Sequence, residues 1–208
     1  SSGNGNNCQV QAVGHPVNSF YLFEQVYDKD GKPLEGVYVD QNNDGVINDD
    51  DRRIYHSKDP KVTMSFSSTF NWKNWDLGFA MHANIGNYVY ADAMSDHAVV
   101  EDCWKNGKVN NLIQTDYYFN GTINPAVGIM KSDYWLRNAS FLRCDNITLG
   151  HTWPYLLDNK MRLRLYGAVQ NPFVITKYKG LDPEVASGID RDVYPRATTF
   201  TIGVVASF

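Results

Sequence analysis

The chain has 208 residues, enough for one large domain or for one part of a larger protein. Hydrophobic residues make up 43% of it and charged residues 20%, which excludes a disordered chain. The net charge of −4 gives no reason to expect nucleic-acid binding, which requires a basic surface.

The abundant aromatic residues, 13 Tyr, 10 Phe and 5 Trp, require burial, an interface or a membrane boundary. The sequence contains no run of about 18 apolar residues, so no transmembrane helix is predicted, and it contains no recognisable signal peptide. The polar, loop-like opening SSGNGNN indicates a truncated chain. Three distant cysteines, Cys8, Cys103 and Cys144, fit no metal-site spacing, and we expect free or structural thiols, with a Cys8–Cys103 disulfide left open.

The first distinctive segment, DQNNDGVINDDDR at 40–52, has the spacing of a calcium-binding loop without a helix pattern on either side. Such loops place oxygen ligands at positions 1, 3, 5, 7, 9 and 12, with glycine at position 6. Position 12 is Asp rather than Glu, which lowers the expected affinity. The alternative is a plain turn in an acidic surface loop. The predicted ligands of a structural Ca²⁺ are Asp40, Asn42, Asp44, the Val46 carbonyl, Asn48 and Asp51.

The clearest periodicity is two residues, and it begins at residue 62. In VTMSFSSTFNW (62–72) and WDLGFAMHANIG (75–86), apolar residues alternate with small or polar ones. This alternation is typical of strands, and the short connection at 73–74 predicts a hairpin. The predicted apolar faces comprise Val62, Met64, Phe66, Ser68, Phe70 and Trp72, and then Trp75, Leu77, Phe79, Met81, Ala83 and Ile85.

Three long connections, at roughly 27–60, 90–138 and 176–196, separate the strand patterns. Long loops without regular structure are usually functional. The 90–138 connection is rich in rings that could stack on sugars, pack within the loop or contact a partner protein. These rings are Trp104, Tyr117, Tyr118, Phe119, Tyr134 and Trp135.

The last third of the chain repeats the two-residue period. In SFLRCDNITLGHTW the register changes part-way, and a bulge near Asp145–Asn146 would reconcile its two halves. In KMRLRLYGAVQN the apolar residues alternate with Arg162 and Arg164, and ATTFTIGVVASF ends the chain on Phe208. Strands of 10 to 12 residues with polar opposite faces, short turns at one end and long loops at the other are typical of outer-membrane barrels.

Aromatic residues bracket these apolar runs, as they do at the two edges of a membrane. They are Trp72, Trp75, Tyr88, Tyr90, Trp153 and Tyr155. The predicted fold is therefore all-β, an antiparallel transmembrane β-barrel segment with long extracellular loops. One alternating strand could equally be half of a soluble sandwich.

Several segments resemble one family in the same order along the chain. They are GHPVNSFYLFEQVYDKDGKPLEGVYVDQNNDGVINDDDR, DPKVTMSFSSTFNWKNWDLGFAMHANIGNYVY, SDYWLRNASFLRCDNITLGHTWP, YGAVQNPFVITKYKGLDPEV and YPRATTFTIGVVASF. Together they resemble the C-terminal barrel segment of the SusC/RagA family of TonB-dependent outer-membrane transporters. Cys144, Asp145 and His151 depart from the family's strand pattern.

The resemblance implies the last five or six strands of a 22-stranded barrel, without the N-terminal plug domain. Residues 1–60 would form an extracellular loop region that contains the calcium-like loop, and 61–208 the membrane strands and their loops. It also implies that Arg162 and Arg164 face a lumen that the plug fills, so that salt bridges to the plug are expected.

The function that the resemblance implies is TonB-dependent import of glycans or oligopeptides across the outer membrane of a Gram-negative bacterium. Its partners would be outer-membrane lipid, a SusD-like surface lipoprotein, the TonB complex (through the plug region) and an oligosaccharide or peptide substrate. No HExxH, GxSxG or P-loop motif is present, so we do not expect an enzyme.

The alternative is a soluble all-β carbohydrate-binding module with a structural calcium. The two interpretations differ in where the apolar strand faces lie, in a closed core or in an outward belt about 25 Å tall. The residues that discriminate are Leu77, Phe79, Met81, Phe200, Ile202 and Val204.

Overall fold

A computed structural model describes residues 8–96, 104–105, 107–109, 132–158, 160–191 and 193–208. The chain divides into two compact units, each assembled from three segments. The sheet unit contains Lys61–Ile85, Ser140–Lys177 and Pro195–Phe208. The loop unit contains Ser1–Pro60, Gly86–Ala139 and Tyr178–Tyr194.

The described segments are almost entirely strands and turns, with one short helix, α1 (Asp92–Asp96), and two 3₁₀ turns at Asp49–Asp51 and Asp133–Trp135. In chain order the strands are β1 (Gln9–Val10), β2 (Ser19–Leu22), β3 (Gln25–Tyr27), β4 (Pro33–Tyr38), β5 (Arg53–Ser57), β6 (Val62–Trp72), β7 (Trp75–Ile85), β8 (Tyr88–Tyr90), β9 (Trp104–Lys105), β10 (Lys108–Val109), β11 (Leu136–Asn138), β12 (Phe141–Leu156), β13 (Met161–Thr176) and β14 (Thr199–Ser207).

The sheet unit is one antiparallel sheet of five strands in the order β14-β13-β12-β7-β6. The predicted hairpin is present: β6 pairs with β7 from Val62↔Ile85 to Trp72↔Trp75. Lys73 has a φ of 54° in the connecting turn, the left-handed conformation that favoured two-residue hairpin loops require. A short turn also joins β12 to β13, where the Lys160 N–H donates to the Leu157 carbonyl at 3.2 Å.

The predicted bulge lies in β12. In the pairing with β7, Cys144 and Asn146 stand opposite the adjacent residues Met81 and Ala80, so Asp145 is the extra residue. The register towards β13 also shifts at this point, but there two residues of β13, at 171 and 172, stand opposite Asp145. One inserted residue exchanges the faces of a strand, because side chains alternate with a period of two. The bulge therefore brings Ile147 and Leu149 onto the face that Leu77 and Phe79 occupy on β7.

The apolar face of this sheet is not a closed core. Leu77 is 37% exposed, Phe200 76%, Ile202 82% and Val204 62%. A soluble module of this size would bury such residues, because soluble monomers rarely expose large contiguous apolar patches. Within the described residues, no helix is both long and apolar enough to cross a membrane.

The loop unit has a small core of its own beneath short two- and three-stranded sheets. Tyr90 is only 1% exposed there, so its predicted place in a ring at the membrane edge is wrong. Tyr88 stacks on His56 with 3.7 Å between ring centroids. The alternation that placed these tyrosines stops at Ile85, where β7 ends. The buried cluster consists of Cys8, Phe20, Leu22, Tyr90, Tyr134 and Trp135.

Two of the three cysteines fall within the described residues, and both are free, buried thiols. Burial raises the pKa of Cys8 to about 11, so this thiol stays protonated and unreactive at neutral pH. Cys103 lies outside the described residues.

Candidate membrane-spanning surface and cation-binding loop

The strands of the outward apolar face are long enough to cross a membrane's hydrocarbon layer. β6 and β7 have 11 residues each, about 36 Å at the usual strand rise. At a tilt of about 45° they would span about 25 Å, the height of the apolar band of outer-membrane barrels. Phe79 lies 5.7 Å from Phe66 and 6.2 Å from Phe70 between ring centroids, so the centre of this face is aromatic.

A cluster of rings marks the end of this face that carries the short turns. Trp72 and Trp75 pair directly across the β6–β7 hairpin. His151 lies between Trp75 and Trp153, with centroid distances of 4.5 Å and 4.3 Å. Tryptophan is enriched at membrane–water boundaries, because the ring is apolar while its N–H is polar.

The opposite face of the sheet is polar and carries an ion pair that bridges β7 and β13. Arg164 donates through Nη2 to Asp76 Oδ2 at 2.5 Å and through Nε to Asp76 Oδ1 at 3.1 Å. The intervening residue on β12 is Gly150, and a Cβ there would lie 2.6 Å from both Arg164 Nη2 and Asp76 Oδ1. A glycine therefore leaves room for the ion pair to cross the strand in this geometry, and a larger residue would force the two side-chain ends to shift. Arg164 binds within its own sheet, whereas its expected partner was the plug.

Farther along the polar face, the bulge residue forms a second cross-strand polar contact. Asp145 lies 2.9 Å from His82 Nδ1, and Arg143 Nη1 donates to Asn171 Oδ1 at 2.9 Å. Beside these contacts lies a recess of about 340 Å³, lined by Arg143, Asp145, Gln170 and Asn171. The sequence indicated that this face is polar, but it did not predict the two partners Asp76 and His82, because cross-strand neighbours depend on register.

The calcium-like loop of the loop unit is organised by its own acidic and amide side chains. Asp40 accepts from Asn43 N at 2.7 Å and from Gly45 N at 2.8 Å. Asn42 Oδ1 accepts from Asp44 N at 3.0 Å, and Asp44 Oδ1 accepts from the N–H of Val46 at 2.8 Å. Gly45 has a φ of 80°, which suits the sharp turn at position 6 of such loops.

Asp51, the residue at position 12, closes the loop. It is fully buried and accepts from Gln41 N at 2.9 Å and Asn48 N at 2.8 Å. The hydrogen bond from Asn48, more than any other contact, holds the pKa of Asp51 below its usual range. Asn48 caps the 3₁₀ turn by accepting from Asp50 N.

No group of three or more His, Cys, Asp or Glu side chains within the described part of the chain is arranged to hold a metal ion. The predicted ligand set differs in kind from such a group, because three of its six oxygens belong to amides or to the backbone. Each carboxylate oxygen has two lone pairs, so accepting an N–H leaves it able to bind a cation.

The loop aromatics fall into two groups. Tyr134 and Trp135 are buried in the core of the loop unit, with 4.8 Å between their ring centroids. They are therefore not available for stacking on a sugar. Tyr117, Tyr118 and Phe119 lie outside the described residues, as does the side chain of Trp104.

Comparison with known proteins identifies the chain. No protein-family model matches it. Over 216 residues it is 44% identical to the TonB-dependent receptor SusC of Bacteroides thetaiotaomicron, an alignment that covers 98% of this chain and 21% of SusC. The chain belongs to the SusC/RagA family of TonB-dependent receptors. The TonB-dependent receptor P3 of Formosa agariphila is 26% identical and covers 96% of this SusC-like chain.

Solved structures confirm the fold of this SusC/RagA-family chain. The RagAB peptide transporter matches over 98% of the chain, with a TM-score of 0.72 and 23% identity. The open-open state of the RagAB peptide importer matches with a TM-score of 0.71 and 25% identity. The expected antiparallel transmembrane barrel segment is therefore confirmed. The chain spans about a fifth of the length of SusC and about a quarter of the RagAB chains.

Proposed function

We propose that this chain is part of a TonB-dependent importer in the outer membrane of a Gram-negative bacterium. The observation that carries the proposal is the exposed apolar face of a five-stranded antiparallel sheet, in a chain 44% identical to SusC. An outward apolar band with a polar reverse side suits a barrel wall, with lipid outside and a wet or plug-filled lumen inside. We expect a transporter without catalytic activity.

The proposed cargo is an oligosaccharide or an oligopeptide. The proposed partners are a SusD-like surface lipoprotein, which would cover the extracellular mouth, and the TonB complex, which would act through the plug region. The peptide alternative is supported by the RagAB structures, which are those of a peptide transporter and importer. The glycan alternative rests on the family resemblance alone.

The test is uptake by cells that carry or lack the full-length receptor. Deletion should abolish growth on one class of oligomer, glycan or peptide, and leave growth on the corresponding monomers unchanged. Deletion of TonB should reproduce that defect, and the tagged receptor should retain its lipoprotein through detergent extraction. Uptake that persists without TonB would contradict the proposal.

We also propose that the loop at 40–52 binds a structural Ca²⁺ through Asp40, Asn42, Asp44, the Val46 carbonyl, Asn48 and Asp51. Support comes from the six oxygen positions, from Gly45 at the sharp turn and from the ionised state that the low pKa of Asp51 favours. A divalent cation would offset the mutual repulsion of three carboxylates and stiffen a long connection.

Near-isosteric variants test the cation at a small cost in loop hydrogen bonds. In a D40N/D44N receptor two charges are lost, and the asparagine at position 44 keeps an oxygen that accepts from the N–H of Val46. The asparagine at position 40 keeps one acceptor, where Asp40 offers separate oxygens to the N–H groups of Asn43 and Gly45. The wild-type Tm should fall when Ca²⁺ is chelated, and the variant should lose most of this response. The matched control is D30N, which neutralises an exposed acid outside the loop. A wild-type Tm that is insensitive to chelation would refute the calcium proposal.

A further inference from the structure

The outward face of the sheet contains a recess that an ordinary strand surface would not leave. It measures about 500 Å³, within the usual range of ligand pockets. Its floor is Gly167 on β13, where an added Cβ would meet nothing within 4 Å. Leu149, Leu165 and Ile202 form apolar walls around it.

Three rings close one end of the recess. Trp75, His151 and Trp153 line it at the end of the sheet that carries the short turns. These rings extend the apolar lining of the recess at that end.

Positive charge lies at the same end of the sheet. Lys73 is in the β6–β7 turn beside Trp72, with its Nζ 5.0 Å from the indole centroid, and the exposed Lys160 is in the β12–β13 turn. Basic side chains at a membrane surface attract anionic lipid headgroups. The recess thus combines an apolar lining with positive charge at the same end of the sheet, as a phospholipid combines an acyl chain with an anionic phosphate.

We propose that this recess binds one anionic phospholipid of the surrounding leaflet. An acyl chain lies over Gly167, and the headgroup phosphate interacts with Lys73 and Lys160 at the end of the sheet that carries the short turns. The apolar face around the recess continues without interruption into the surface proposed to contact the membrane, so bilayer lipid has direct access to it. The inference rests on the proposed outer-membrane location.

The experiment counts lipids on the purified full-length receptor by native mass spectrometry, with phosphatidylglycerol as the added probe. G167L fills the recess with an apolar side chain that the membrane face tolerates. A206L makes a small-to-Leu change on the same face outside the recess. We expect wild type and A206L to retain one phosphatidylglycerol that G167L does not retain.

A second variant tests the proposal without changing any residue that lines the recess. K73Q/K160Q changes only exposed turn side chains, and it should weaken phosphatidylglycerol retention relative to phosphatidylcholine by about 30-fold, from the usual contribution of two lysines. Equal retention by wild type and G167L, with both folded by heat-modifiability, would overturn the proposal. A receptor that fractionates away from the outer membrane would instead refute the proposed function.

Discussion

Replacing Phe200 with Lys should destabilise the receptor in its membrane far more than the same change one residue later. Phe200 pairs with Val169, which pairs with Ile147, which pairs with Phe79. Phe79 is the fifth of the 11 residues of β7, so this row of side chains lies near the middle of the apolar band. Thr201 is adjacent in the chain but lies on the polar face.

The magnitude follows from depth. A lysine at the midplane of an outer-membrane barrel costs about 2–4 kcal/mol, which lowers the folding equilibrium constant about 30-fold to about 900-fold. F200A separates loss of the ring from gain of the charge and should cost less than F200K. The assay is denaturant unfolding of the full-length receptor in lipid vesicles, followed by heat-modifiability on gels.

The matched control is T201K, which adds the same charge to the same strand on the opposite face. It should change the unfolding midpoint little, because a lumen position is wet or contacts polar groups. If T201K destabilised the receptor as much as F200K, or if F200K were neutral, the assignment of lipid and lumen faces would be wrong.

Three further perturbations test the interior contacts. G150A should displace the Arg164 guanidinium and lower the Tm, whereas alanine at Gly167, where the space is open, should not. Y178F removes the donor to the buried Asp190 carboxylate, 2.5 Å away, and should cost about 1–3 kcal/mol in urea unfolding, more than Y194F at an exposed tyrosine. Burial raises the pKa of Asp133, so its folded-state ionisation opposes stability once the pH exceeds the unfolded pKa near 4. The stability advantage of D133N over wild type should therefore grow as the pH rises through the folded-state pKa of Asp133, and it should stay constant above that pKa. An advantage that shrank as the pH was raised would contradict this reasoning.

The strands could be predicted because burial on one face imposes a period of two on the sequence. The hairpin at 62–85 and the bulge at Asp145 both follow from that period alone: a change of parity without a break in the strand requires an extra residue. The same reasoning was wrong for Tyr90, where alternating tyrosines continue the pattern past the end of β7. Periodicity indicates which face a residue occupies but not which unit buries it.

The loop unit was harder to predict because its contacts join distant segments. Tyr134 and Trp135 pack with Phe20 and Leu22, more than 100 positions earlier in the chain. No local sequence pattern marks this contact, so the sequence did not decide whether the rings pack within the loop, contact a partner protein or stack on a sugar. The 40–52 loop was predictable in outline because the hydrogen bonds that Asp40 and Asp51 accept are local and join residues no more than ten positions apart.

The ion pair across β12 illustrates what register adds to composition. The alternation placed Arg164 on the polar face, and a glycine in a strand signals a close approach by another group. Neither signal identifies Asp76 as the partner of Arg164. The partner becomes clear only from the strand register, in which Gly150 pairs with Asp76 and Thr152 pairs with Arg164. The guanidinium then reaches the carboxylate directly over Gly150, where a Cβ would lie 2.6 Å from both groups. The space at Gly150 thus matters because of a contact between its two neighbouring strands rather than because of its own backbone.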